Sequence, residues 1–154
     1  MEKLNCSVYE ISDSIEELVA EGAIVPLCVS GSSMNPFLIS RRDVVYLKAY
    51  TEKDFINGSI FLFKRNDGSL VLHRVKKICS DGSLLFCGDA QTEYEKVEKS
   101  QIVAYVSEIE RNGNRKSSES FYWRAIAFLW NCLLPIRSIL MRLWFKARRI
   151  KNKK

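Results

Sequence analysis

"LVLHRVKKICSDGSLLFC", residues 70–87, holds two apolar, β-rich runs on either side of Ser80-Asp81-Gly82. An Asp-Gly pair between two such runs favours a tight turn, because glycine takes a positive φ without a Cβ clash. The stretch predicts a hairpin with strands over 70–78 and 84–87. The same grammar repeats upstream, where a run over 59–64 leads through Asn66-Asp67-Gly68 into the first of these strands. Runs over 23–25, 28–29, 44–49 and 102–109 complete the strand candidates. Strands in succession, tied by tight turns, imply a mainly β body: a small antiparallel barrel or sandwich rather than a parallel α/β fold. A short helix over about 12–21 precedes it, with Ser12-Asp13 as its cap, Ile15, Leu18 and Val19 on its buried side and Gly22 as its stop.

At 154 residues and 17.8 kDa the chain suffices for one domain with an appendage. Its 47% hydrophobic and 27% charged content excludes bulk disorder. Charge is unevenly spread: residues 121–154 carry nine Lys or Arg and no acid, leaving 15 basic against 18 acidic residues in 1–120. Such asymmetry points to an anionic partner for the tail, a membrane surface or nucleic acid. The five cysteines (Cys6, Cys28, Cys79, Cys87, Cys132) are odd in number, lack zinc-ligand spacing and have a single histidine beside them. No disulfide framework, metal or organic cofactor is expected. The N-terminal stretch has no apolar core of secretory type, so no cleavable signal peptide is expected and the body is assigned to a reducing, cytoplasmic compartment.

Three short stretches carry chemistry-bearing side chains. In "CVSGSSMNPF", residues 28–37, a strand breaks into a Gly/Ser turn that can project one hydroxyl clear of the sheet. "LVLHRVKKI" holds the only histidine, His73, and strand alternation does not settle which face it occupies. In "LLFCGDAQ", Asp89 follows Gly88 at a strand end. Each stretch alone also fits an ordinary turn or a structural residue.

Their order resembles the signal peptidase I superfamily, which includes the self-cleaving SOS-type repressors. Gly31-Ser32-Ser33-Met34-Asn35-Pro36 matches its G-x-S-M-x-P box, and Val71-Leu72-His73-Arg74-Val75 resembles the V-x-H-R-V segment of the histidine-bearing archaeal and endoplasmic-reticulum branch. Gly88-Asp89 resembles that branch's G-D-N and residues 102–106 its closing I-x-G-x-V strand, with Ala90 standing for the Asn and Ala104 for the Gly. The resemblance spans roughly residues 24–110 and extends to small bacterial peptidase-like proteins with a similar leading helix and a basic, Trp-bearing C-terminal segment. It implies a serine endopeptidase acting on a peptide or protein substrate. Ser33 is then the nucleophile, His73 the base and Asp89 the group that orients the imidazole. The Ser33 backbone N–H, helped by groups near Gly31 and Ser32, is the expected oxyanion donor. In the lysine-based branch a lysine is the base; Lys76 and Lys77 lie nearby, but His73 holds the matching position. The other reading is an inactive relative that binds peptides or acts as a membrane-tethered regulator.

The tail, "FYWRAIAFLWNCLLPIRSILMRLWFKARRIKNKK", reads as one basic amphipathic helix over 121–154, joined to the 1–110 body by a polar linker over 111–120. Arg124, Asn131, Ser138, Arg142, Lys146 and Arg149 share a narrow stripe, with a broad apolar face opposite. Its uncharged run is too short for an ordinary spanning helix. Trp123, Trp130 and Trp144 suit a headgroup interface, which predicts a helix lying in the membrane surface on the cytoplasmic face. Nucleic acid is not expected, because no recognition fold accompanies the charge and the body is acidic.

Overall fold

A computed structural model describes residues 8–151. Helix α1 (Val8–Ala20) begins before Ser12 and Asp13, so neither is its cap. It ends where the sequence indicates. Gly22 adopts φ 87°, its N–H donates to Val19 O, and the Ala23 N–H donates to Leu18 O. This paired closure satisfies two terminal carbonyls. Ile15 and Val19 are buried, but Leu18 is 44% exposed, contrary to expectation.

Eight strands follow: β1 (Val25–Cys28), β2 (Asp43–Lys48), β3 (Ile60–Lys64), β4 (Leu70–Ile78), β5 (Leu84–Cys87), β6 (Glu95–Val97), β7 (Ile102–Arg111) and β8 (Asn114–Ser117). They form one antiparallel sheet in the order β1-β2-β7-β3-β4-β5-β6, with β8 added to β7. The body is mainly β, as expected, but the sheet is not closed into a barrel: β1 and β6 stand at its two ends. The residues read as a linker contain β8, which extends the hairpin from β7 through Asn112-Gly113.

Strand alternation gives the central β3 two buried faces. Ile60 and Leu62 join one core with Ile15 and Val19 of α1, Val45 and Leu47 of β2, and Met34 and Leu38 from the loop after β1. Phe61 and Phe63 point the other way, into a second core with Phe55, Phe86, Val97 and Tyr105. Phe61 stacks on Phe55 at 4.9 Å between ring centroids. Full burial of each such ring contributes about 1.5–3 kcal/mol. The first core therefore clamps the serine-bearing loop to the sheet, and the second packs β5 and β6 against β3 and β7.

The tail is two helices, not one. Helix α2 (Phe121–Cys132) and helix α3 (Arg137–Lys151) are separated by a tight turn at Leu134–Ile136. Pro135 sits in that turn, where its ring and missing N–H are incompatible with a helix interior. Trp123, Ala127 and Trp130 make a helical stripe on α2, and all three are buried against the body. Trp123 and Trp130, expected at a headgroup interface, are instead 5% and 9% exposed. Trp144 is half-buried, while Arg124, Arg142 and Lys146 are exposed. No helix among the described residues is long and apolar enough to cross a membrane.

Candidate functional site

The loop carrying Gly31, Ser32 and Ser33 is fixed at both ends. The Val29 N–H donates to Asp43 O, the Arg41 N–H to Val29 O, and the Ile39 N–H to Asp43 Oδ2 at 2.8 Å. Burial opposes the charge on Asp43. Hydrogen bonds from Arg42 and Arg111 outweigh that penalty and hold its carboxyl below the usual range. Within the loop Gly31 takes φ 78°, Met34 is buried, and Gly31 and Ser32 remain exposed. Asn35 precedes a cis Pro36 and is itself buried. Met34 packs into the first core and so anchors the loop to the sheet.

Ser33 and His73 come together although they lie far apart in the chain. Both line an open groove of about 470 Å³, within the size range of ligand sites, together with Leu27, Val29, Leu70 and Leu72. The Gly88–Ala90 turn locks them in place. The Ala90 N–H donates to Ser33 O at 2.8 Å. A Cβ on Gly88 would lie 2.6 Å from Ser33 O and 3.0 Å from His73 Nε2. Only a residue without a side chain allows the serine loop and the imidazole to close around that turn. Gly88→Ala should therefore push the two apart. We expect it to destabilise the fold by about 1–3 kcal/mol, read by urea denaturation, and to suppress any reaction at Ser33. A variant with unchanged stability and reactivity would contradict this packing.

The groove lies between two strand edges. β3 pairs β4 along Leu70–Arg74, whereas β5 pairs it only along Arg74–Ile78, so on the side away from β3 residues 70–73 have no partner strand among the described residues. β1 pairs β2 alone. Free N–H and C=O groups at such edges can accept another strand.

His73 is 2% exposed and sits against the Phe63 ring. Burial pushes its pKa down to about 4, partly offset by the nearby Glu95 carboxylate, so the imidazole is neutral at pH 7. A base must be in that form. Its Nδ1 is buried without a hydrogen-bond partner.

Asp89 does not sit on the imidazole. Its carboxylate accepts from Arg74 Nε at 2.9 Å and from Arg74 Nη2 at 2.7 Å, and Lys76 Nζ lies 3.7 Å from Oδ1. His73 and Arg74 are neighbours on β4, so alternation sends them to opposite faces, and Asp89 follows Arg74. Arg74 also donates to Gly58 O at 2.7 Å. The Lys76 side chain is 5% exposed, and this desolvation lowers its pKa to about 8, while Lys77 is exposed; neither lines the groove.

Sequence reasoning missed three residues here. Trp130 Nε1 donates to Asp89 O at 2.7 Å. Arg137, fully buried at the start of α3, donates to Gln91 O at 3.0 Å and Trp130 O at 2.9 Å. The C-terminal helices thus buttress the turn that locks Ser33. The third is Glu95, whose Oε2 lies 3.9 Å from His73 Nδ1. Only the departure of Arg137 from the polar stripe hinted at any of these.

No protein-family model matches the chain, and no curated protein matches it.

Proposed function

We propose that this protein is a serine endopeptidase of the signal peptidase-like type, acting through Ser33 and His73. The observation that carries this reading is the shared groove, in which a nucleophile and a neutral imidazole flank Gly88 between two open strand edges. An extended peptide laid between β1 and the first half of β4 would pair with both edges, gaining backbone hydrogen bonds and side-chain pockets. His73 Nε2 takes the proton from Ser33 Oγ as Oγ bonds to the scissile carbonyl carbon, whose π electrons move onto oxygen. The Ser33 N–H, with groups near Gly31 and Ser32, stabilises that oxyanion. Its collapse breaks the C–N bond, and His73 gives the proton to the departing amine. Water then enters by the same proton route, releasing the acid and restoring Ser33. The test is incubation of the full-length protein with a defined set of extended peptides and identification of the products by mass spectrometry. Internal cleavage, lost in Ser33→Ala, supports the reading. Binding without cleavage by protein that is folded and saturated with peptide would favour a non-catalytic peptide-binding module, which the open edges alone could serve.

We also propose that the C-terminal helices rest on an anionic membrane surface. With Trp123 and Trp130 turned inward, the candidate contact face is Phe121, Phe128, Leu129, Ile139 and Leu143, all exposed and neighboured by Arg124, Arg142 and Lys146. Exposed apolar area of this kind carries a cost of about 25 cal/mol per Å² in water, and each nearby cation adds about 1 kcal/mol at an anionic surface. Removing 121–154 would strip Asp89 O and Gln91 O of their donors and open the first core, so point substitution in the full chain is the better probe. Phe128→Ser with Leu129→Ser should weaken sedimentation with phosphatidylserine-containing vesicles at least tenfold, and salt should weaken binding of the unaltered protein without abolishing it. Equal binding by the double variant would contradict the assignment.

A further inference from the structure

We propose that Glu95, clamped by Arg65, is the positioning carboxylate of His73, the part that the sequence pattern gives to Asp89. The inference rests on the peptidase reading for its kinetic consequence but not for its geometry. For Nε2 to accept a proton from Ser33, the neutral ring must carry its hydrogen on Nδ1, and that atom is buried with no hydrogen-bond partner. Facing it is Glu95 Oε2 at 3.9 Å. β6 brings Glu95 there by pairing it with Phe86, while Asp89 is bonded to Arg74 on the other face of β4.

The Glu95 carboxylate is itself held in place. Arg65, just after β3, donates to it through Nε at 2.6 Å and Nη2 at 2.7 Å. That fork engages both oxygens, and Oε2, which accepts from Nη2, is the one that lies 3.9 Å from His73 Nδ1. Catalytic hydrogen bonds are often long before substrate is bound, and closing a 3.9 Å gap needs only a small side-chain movement. When the Ser33 proton arrives at Nε2 the ring becomes a cation, and Glu95 stays ionised beside it. The charged groups acting on His73 are Glu95 and Asp89, which favour the cation, and Arg65 and Lys76, which oppose it.

The chain has one histidine, so its titration in the full-length protein is read without ambiguity by NMR. Glu95→Gln should lower the His73 pKa by about 1 unit, and Arg65→Gln should raise it. Shifts of opposite sign place both charges beside the ring, and the labelling rate then distinguishes a positioning carboxylate from a merely neighbouring one. Glu95→Gln should also slow labelling of Ser33 by a fluorophosphonate on the order of 10²-fold or more. An unchanged titration in Glu95→Gln, or shifts of the same sign in the two variants, overturns the proposal. So does a shifted titration with unchanged labelling. Absence of any Ser33 adduct in the unaltered chain overturns the peptidase reading instead, and the titration then still decides whether Glu95 serves the ring.

Discussion

Ser33→Ala and His73→Ala are each expected to abolish peptide cleavage, and the double variant to be no worse than either. Nucleophile and base act as one unit: without the imidazole the hydroxyl keeps its proton, and without the hydroxyl the imidazole has nothing to activate. Removing either from a serine hydrolase costs on the order of 10⁶ in turnover, with little further loss in the pair. Independent, multiplicative losses would mean that the residues do not cooperate. The pH profile adds a second constraint. In the proposed mechanism cleavage requires neutral His73, so its rate should fall as pH drops through about 4 and be level above it as far as this group is concerned. Stability moves the same way. Between about 4 and the ordinary value of 6.5 the unfolded chain binds a proton that the folded chain refuses, so acid destabilises the fold across that window. Rates at low pH are therefore to be normalised to the folded fraction.

The second large effect is expected at Arg74 and Asp89. Both are buried, at 2% and 0% exposure, and they neutralise one another through the charge-assisted bonds described above. Asp89→Ala leaves a buried guanidinium without its counter-charge beside the buried Lys76. Breaking a buried pair by removing one partner costs about 3–5 kcal/mol, a large part of a small domain's stability. Urea denaturation should show that loss. The His73 titration of whatever fraction remains folded should move less than in Glu95→Gln. A marginal change in stability would contradict the structural role assigned to Asp89, and a larger His73 shift would return it to the imidazole.

This division of labour shows where the sequence was readable. The order β2, β3, β4, β5, β7 was legible because Asn66-Asp67-Gly68 and Ser80-Asp81-Gly82 mark turns whose chemistry is local. β8 was not, because Asn114–Ser117 is exposed at every position and has no apolar face to betray a strand. β6 is only three residues long and owes its place to pairing with β5. Whether the sheet closes depends on the distance between β1 and β6, which no local pattern encodes. Ser33 and His73, picked out by their sequence boxes, line one groove, but the partner of Asp89 turns on strand alternation at two adjacent residues, His73 and Arg74. The tail misled for a different reason. Its helices are apolar on two sides, so periodicity alone could not tell the side that packs on the body, with Trp123, Ala127 and Trp130, from the side left exposed, with Phe128 and Leu129.

The central claim is that Ser33 is a nucleophile activated by His73. Treating the intact protein with a fluorophosphonate and locating the adduct by mass spectrometry tests it most directly. The account predicts a single adduct on Ser33 at neutral pH that disappears in His73→Ala. No adduct, an adduct on Ser30 or Ser32 instead, or undiminished labelling of Ser33 in His73→Ala would contradict it.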